Sequence, residues 1–234
     1  PSGPLLRAIC SLGVSPFLNQ MAMFLVQITL NNTLTYYGAL SHYGEDIPLA
    51  CVGVISKVNI LMLGFTLGIS QGCQPIFSYN YGARQYSRVR EAYRKAIVAA
   101  SVICCIAFVC FQLFPRPIVA LFDPSGSEEY FQFAERYFRI YMFMTLANAF
   151  QPITANFFTS IGKAKRGALI ALTRQVIFLI PLILIFPLFL GIDGVMYAGP
   201  IADSAAVVVA LALVTREMKR MPHVDEPVAA DTLV

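Results

Sequence analysis

The sequence predicts an all-α membrane protein with six transmembrane helices, and three observations carry that reading. Hydrophobic residues make up 57% of the chain and charged residues 13%, against about 25% charged in soluble domains, and the mean hydropathy is +0.66. Six charge-poor runs, 8–44, 47–83, 96–115, 140–162, 167–192 and 194–215, are each long enough to cross a hydrocarbon core of about 30 Å, which takes about 20 helical residues. Runs such as IVAASVICCIAF lack the two-residue alternation of barrel strands. Helices therefore remain as the structure that satisfies the backbone in lipid.

Each helix has its own justification. The first, over 12–37, sits in a stretch with no Asp, Glu, Lys or Arg between Arg7 and Glu45. The second, over 48–80, is closed by a turn at Asn80, Tyr81 and Gly82. A third, over 93–114, begins at the end of a basic burst made of Arg84, Arg88, Arg90, Arg94 and Lys95. The fourth, over 130–161, opens with Glu135, Arg136 and Arg139, the first and last at helical ion-pair spacing, and carries a kink-prone Pro152. The fifth and sixth, over 167–190 and 194–216, hold Arg174 and Asp203 at depth. Residues 1–11 precede the spans and 222–234 form a flexible tail. The opening PSGPLLR lacks the charged, methionine-led start of a cleavable signal, so the start reads as internal to a longer protein.

Charge sets the orientation. Arg7, the 84–95 burst, Lys163, Lys165 and Arg166, and then Arg216, Lys219 and Arg220 all fall in alternate connections. The intervening connections, SHYGEDIP, the stretch from Arg116 through DPSGSEE, and GIDG, hold Arg116 and otherwise mostly acids. The positive-inside rule then predicts that both termini and the 83–95 and 162–167 connections are cytoplasmic. The burst is a cytoplasmic anchor; no aromatic platform or second basic face accompanies it for nucleic acid.

Composition excludes other classes. The six cysteines lie within or beside spans with no CxxC pair, and read as small packing residues in place of a metal site or disulfide framework. His42 and His223 are the two histidines, which leaves no triad, zincin helix or intramembrane protease centre. The chain is not predicted to be an enzyme and no metal site or cofactor is expected. The sequon Asn31-Asn32-Thr33 falls inside a span, out of reach of glycosylation.

The second helix carries most information. At 100° per residue Gly64, Gly68 and Gly72 form one stripe of two overlapping GxxxG motifs, suited to close helix packing, with Lys57 on the same face. The opposite face aligns Asn59, Thr66, Ser70 and Gln74. The first helix repeats such a line with Gln20, Gln27, Asn31 and Thr35, and Pro152 with Asn148, Gln151 and Asn156 gives the fourth a polar middle. Two readings stand for these lines. Polar side chains in membrane helices hydrogen-bond between helices, at about 0.6–2 kcal/mol each, or they line a shared water-accessible cavity near the midplane, as in transporters. The cavity reading assigns Gln27, Asn31, Asn59, Thr66, Ser70, Gln74, Asn148 and Gln151 to its wall. A weak echo, QPIFSYNYG from Gln74 and QPITANFFTSIG from Gln151, fits a repeat-built carrier.

The strings GxxQGCQPIFSYNYGA, LTRQVIFLIPLILIFPLFLGIDGV and AGPIAD resemble the second half of a multidrug and toxic compound extrusion (MATE) transporter, in the family's order and over the chain to about Met221. The resemblance implies a twelve-helix, two-lobe antiporter of the cell membrane, coupled to H+ or Na+ and exporting organic cations or amphipathic compounds by alternating access. This chain would be its C-terminal six-helix lobe, with 1–11 as a cytoplasmic inter-lobe linker. The N-terminal lobe, the bilayer and a small substrate would be its partners. In one branch of the family this lobe has an essential acid in its first helix and another in its fourth. Those positions fall on Gln27 and Asn148, neither of which carries a proton or a carboxylate charge, so coupling would run through an acid of the other lobe. The alternatives are a lipid-linked oligosaccharide flippase of the same superfamily, which calls for a more cationic cavity, and a non-transporting scaffold lobe.

Three intramembrane charges remain. Lys57 and Asp203 each lie about 12 Å below the outer ends of their helices and Arg174 about 10 Å above the cytoplasmic end of its own, at 1.5 Å per residue. Equal depth and opposite sign pair Lys57 with Asp203, because a lone charge there is costly. Arg174 either snorkels to the interface or competes for Asp203.

Overall fold

The computed structural model describes residues 3–124 and 126–222, with the side chains of residues 4–16 and 148 outside the description. The predicted tail 222–234 lies beyond these residues except at its first position. Every regular element among the described residues is helical: α1 (Gly3–Ala39), α2 (Asp46–Gly82), α3 (Tyr86–Leu113), α4 (Pro115–Phe122), α5 (Glu128–Tyr141), α6 (Ala147–Ser160), α7 (Ala164–Leu172), α8 (Ile180–Leu190) and α9 (Ile192–Arg220). A 3₁₀ turn, Met142–Met144, lies between α5 and α6, and a π-helical stretch, Thr173–Leu179, joins α7 to α8.

Six passes emerge from these pieces: α1, α2, α3, α5 with α6, α7 with α8, and α9. Among the described residues, Asp46–Gly82, Tyr86–Leu113, Ala164–Leu190 and Ile192–Arg220 are long and apolar enough to cross a membrane. The other two passes are α1, of 37 residues, and the interrupted fourth.

Helix ends differ from the sequence reading for identifiable reasons. Residues 3–11, expected as a linker, continue α1 without a break; Pro4 sits in the first turn, where no N–H is required. The basic burst, placed ahead of the third helix, forms the first turns of α3, because Val89, Tyr93 and Ala96 give that stretch a buried stripe and Glu91 pairs with Lys95 at 2.7 Å. Helix α4 was not expected, since eight residues are too short to show a period. It starts on Pro115, buries Val119, and is held by Arg116, which forks onto Glu128 at 3.1 and 2.6 Å and lies over the Phe131 ring. That hydrogen bonding keeps the Glu128 carboxyl below the usual carboxylate range. Glu135 faces Arg116 at 3.7 Å and Arg136 meets Asp193 at 2.7 Å.

The interruptions also have causes. Pro181 offers no N–H to the carbonyl of residue 177, and the π-helical stretch lies over that defect. At the 3₁₀ turn the Thr145 hydroxyl donates to the Met142 carbonyl at 2.5 Å.

Helix α2 is the hub, touching α1, α3, α4, α5 and α6, while α9 touches α1, α5, α6, α7 and α8. Phe77 of α2, Tyr93 of α3 and Phe157 of α6 pack with ring centroids 5.0–6.4 Å apart. The α8–α9 hairpin depends on two glycines. Gly191 turns the chain at φ 59°, and a Cβ on Gly194 would come within 2.5–2.6 Å of the Phe186 and Pro187 backbone. Gly194→Ala should therefore cost about 1–3 kcal/mol by overpacking, read as a lower melting temperature of the purified full-length protein. Gly82→Ala, where a Cβ meets nothing within 4 Å, should leave it unchanged.

Candidate functional site

The two faces of α2 are used in the opposite sense to the sequence expectation. Thr66 and Ser70, assigned to a cavity wall, are buried inside the bundle. Thr66 meets the Cys104 sulfur at 3.9 Å. Ser70 accepts from the Asn156 amide at 2.8 Å and donates to the Pro152 carbonyl at 3.2 Å. Gln74 and Asn59 are half-buried on the same side, and Gln151 donates to the Ile170 carbonyl at 3.3 Å, tying α6 to α7. Ser70 and Gln151 thus make hydrogen bonds between helices at the proline-bearing α6, the first of the two readings open to them. The side chain of Asn148 lies outside the described residues.

The glycine stripe needs the converse correction. Gly64, Gly68 and Gly72 are exposed, and a Cβ on any of them meets nothing within 4 Å. Lys57, Gln71 and Pro75 share that exposed side, so within this bundle the small residues form an open surface and not a packing seam. Gln27 and Asn31 are likewise exposed on α1, their side chains joined by a 3.0 Å hydrogen bond. Gln27 and Lys57 flank the same connection at nearly equal distances along their helices, about 16–18 Å at 1.5 Å per residue. The α1–α2 hairpin thus carries exposed amide and ammonium groups at mid-depth, where lipid solvates them poorly.

The intramembrane charges pair differently from the expectation. Asp203 accepts from the Arg174 Nε at 2.5 Å, both side chains about nine-tenths buried, whereas Lys57 is exposed. The depth count misplaced the pair because it took α7–α8 as regular and could not know its neighbours. Arg174 sits in the π-helical stretch, which packs directly on α9. Gly199, one turn before Asp203, admits the Tyr141 ring, whose Cε2 would lie 2.6 Å from an added Cβ.

A second ionic cluster closes the basic end. The carboxylate of Glu217, 1% exposed, accepts from both Lys163 and Arg166. Arg90 donates to the carbonyls of Met221 and Pro222, each at 2.8 Å. Sequence reasoning passed over Glu217, although a lone acid beside Arg216, Lys219 and Arg220 was a visible signal. Among the described residues no three of His, Cys, Asp and Glu gather to hold a metal ion.

The sequence profile of the MatE family matches residues 20–185. The chain belongs to the MatE family. It is 23% identical to the multidrug export protein MepA of Staphylococcus aureus (strain bovine RF122 / ET3-1) over 92% of this chain and 45% of the relative, and equally to MepA of Staphylococcus haemolyticus. The chain spans about half the length of the curated relatives it matches. Its fold is that of a multidrug resistance MATE family transporter of the MOP superfamily in an outward-facing conformation, with a TM-score of 0.83 and 21% identity over 94% of this chain and 48% of the other. An inward-facing structure of such a transporter matches equally well, at 0.83 and 20% over 94% and 50%. So does a MOP superfamily transporter from Pyrococcus furiosus whose binding pocket is described as of reverse polarity, at 0.83 and 20% over 94% and 48%. The chain is thus an all-helical membrane protein of the MatE family.

Breaking one side of a buried ion pair strands the other charge, at about 3–5 kcal/mol. Arg174→Gln and Asp203→Asn should each lower the melting temperature of the full-length MatE protein markedly, and the double variant should recover part of the loss. Lys57→Gln combined with Asp203→Asn should give simple additivity. Coupling of Asp203 to Lys57 instead of Arg174 would overturn the pairing.

Proposed function

We propose that the chain is the C-terminal half of a cation-coupled multidrug antiporter, which exports organic cations or amphipathic compounds by alternating access, driven by H+ or Na+. The observation that carries this reading is the open side of the α1–α2 hairpin. Gly64, Gly68 and Gly72 suit a close helix neighbour that this bundle does not supply, and Lys57, Gln27 and Asn31 are polar groups at a depth where lipid is a poor partner. A second lobe covering this side would leave them on the wall of a central cavity, the arrangement that rocking of two bundles requires. The half-length match to the relatives supports a missing N-terminal lobe, and the distribution of bases supports cytoplasmic ends in a cell membrane.

Coupling is assigned to that other lobe. Gln27 and Asn148 stand where the family resemblance calls for acids, and Asp203 is engaged by Arg174. Lys57 favours one second reading: an exposed ammonium at mid-depth suits an anionic headgroup better than a cationic drug, as in a flippase for lipid-linked oligosaccharides.

Proteoliposomes with the full-length protein separate these. Under an imposed proton or sodium gradient they should expel a fluorescent organic cation, and Gly68→Leu should cut that rate by an order of magnitude or more at unchanged expression. Residues 1–234 alone should give no gradient-driven flux. Movement of a labelled lipid-linked sugar without cation efflux would replace the first reading by the second, and failure of both would leave a scaffold lobe.

A further inference from the structure

A groove of about 490 Å³ runs between α2 and α3 at the basic end of the lobe, away from the open side of the hairpin. Its floor and walls are Ile69, Cys73 and Ile76 from α2 and Ala92, Ala96 and Ala99 from α3. Three alanines at helical spacing leave room that larger side chains would fill. From Asn80 to Ile69 the groove follows α2 for about 16 Å at 1.5 Å per residue. On α3 its lining lies beside the ridge of Val98, Val102 and Ile106, which are 54%, 53% and 63% exposed, so the groove opens where the helix faces hydrocarbon. At its mouth stand Arg88, Glu91 and Lys95. The Glu91 carboxylate is answered by Lys95 at 2.7 Å, which leaves the Arg88 guanidinium as the net charge of the rim.

From this geometry we infer a binding site for one anionic glycerophospholipid, its acyl chain in the alanine-lined groove and its phosphodiester against Arg88 and Lys95. An apolar channel that ends in a basic mouth at the bilayer interface has the two-part chemistry of such a lipid. Basic pockets between transmembrane helices recognise acidic headgroups in this way. Long cationic side chains reach the headgroup level while their stems stay in the apolar region. A zwitterionic lipid fits the groove equally but brings its own cation to a mouth that already holds one in excess. The inference rests on the membrane placement of the lobe and not on what it transports, so either can fail alone.

The test counts lipids bound to delipidated full-length protein by native mass spectrometry, with equal amounts of phosphatidylglycerol and phosphatidylcholine. Phosphatidylglycerol should be retained at least about fivefold over phosphatidylcholine, and Arg88→Gln/Lys95→Gln should bring the ratio to parity. Ala99→Trp, at an exposed position in the groove, should reduce retention of both lipids while the charged mouth is intact. Excess glycerol 3-phosphate should displace neither. Parity in the unaltered protein, a ratio insensitive to Arg88→Gln/Lys95→Gln, or displacement by glycerol 3-phosphate would each overturn the site.

Discussion

A backbone carbonyl or amide left without a partner in hydrocarbon costs several kcal/mol, and a polar side chain buried there is held to the same requirement. Near several of the helix irregularities a hydroxyl donates to a backbone carbonyl. Thr145 donates to Met142 at the 3₁₀ turn, Ser70 of a neighbouring helix donates to Pro152, Thr173 donates to Leu169 at the start of the π-helical stretch, and Ser204 donates to Pro200 in α9. Ser70 of α2 is therefore tied to the proline-bearing α6, and the exposed polar groups of the α1–α2 hairpin are the ones left over for other use.

The ionic groups obey the same rule in a stronger form. Asp203 and Arg174 neutralise each other where α9 passes the π-helical stretch, and Glu217 is enclosed by two cations at the basic end. Both clusters tie α9 to the segment that runs from the 161–163 turn through α7 into the π-helical stretch. Among the described residues Lys57 has no such arrangement, since its helix presents it on the open side.

Much of the fold was legible because lipid imposes a composition on any segment that crosses it. The six passes follow from that restriction, and the alternation of basic connections follows the separate preference of bases for one side of a membrane. Register within a face was legible too: the 100° periodicity separated Gly64, Gly68 and Gly72 from Thr66 and Ser70. Which of the two faces turned inward was not, because both glycines and hydroxyls are suited to helix contacts, and the choice depended on Pro152 lying across from Ser70. The partner of Asp203 was hidden for a related reason. Counting depth requires regular helices and known neighbours, and Arg174 lies in a stretch where the winding changes. Helix α4 is too short to announce itself, and Glu217 was overlooked among the bases around it.

The Glu217 clasp has a mechanical corollary. Lys163 and Arg166 bind α9 to the turn between α6 and α7, and Arg90 binds the segment just past α9 to α3. The basic ends of α3, α7 and α9 are thereby stapled together, while at the other end Arg116 joins α4 to α5 and Arg136 joins α5 to α9 through more exposed pairs. Load applied to any one basic connection is shared among α3, α7 and α9 before a helix can slide along its neighbour. The ion pairs at the basic end are the more buried, which favours that end as the fulcrum about which the remainder can tilt.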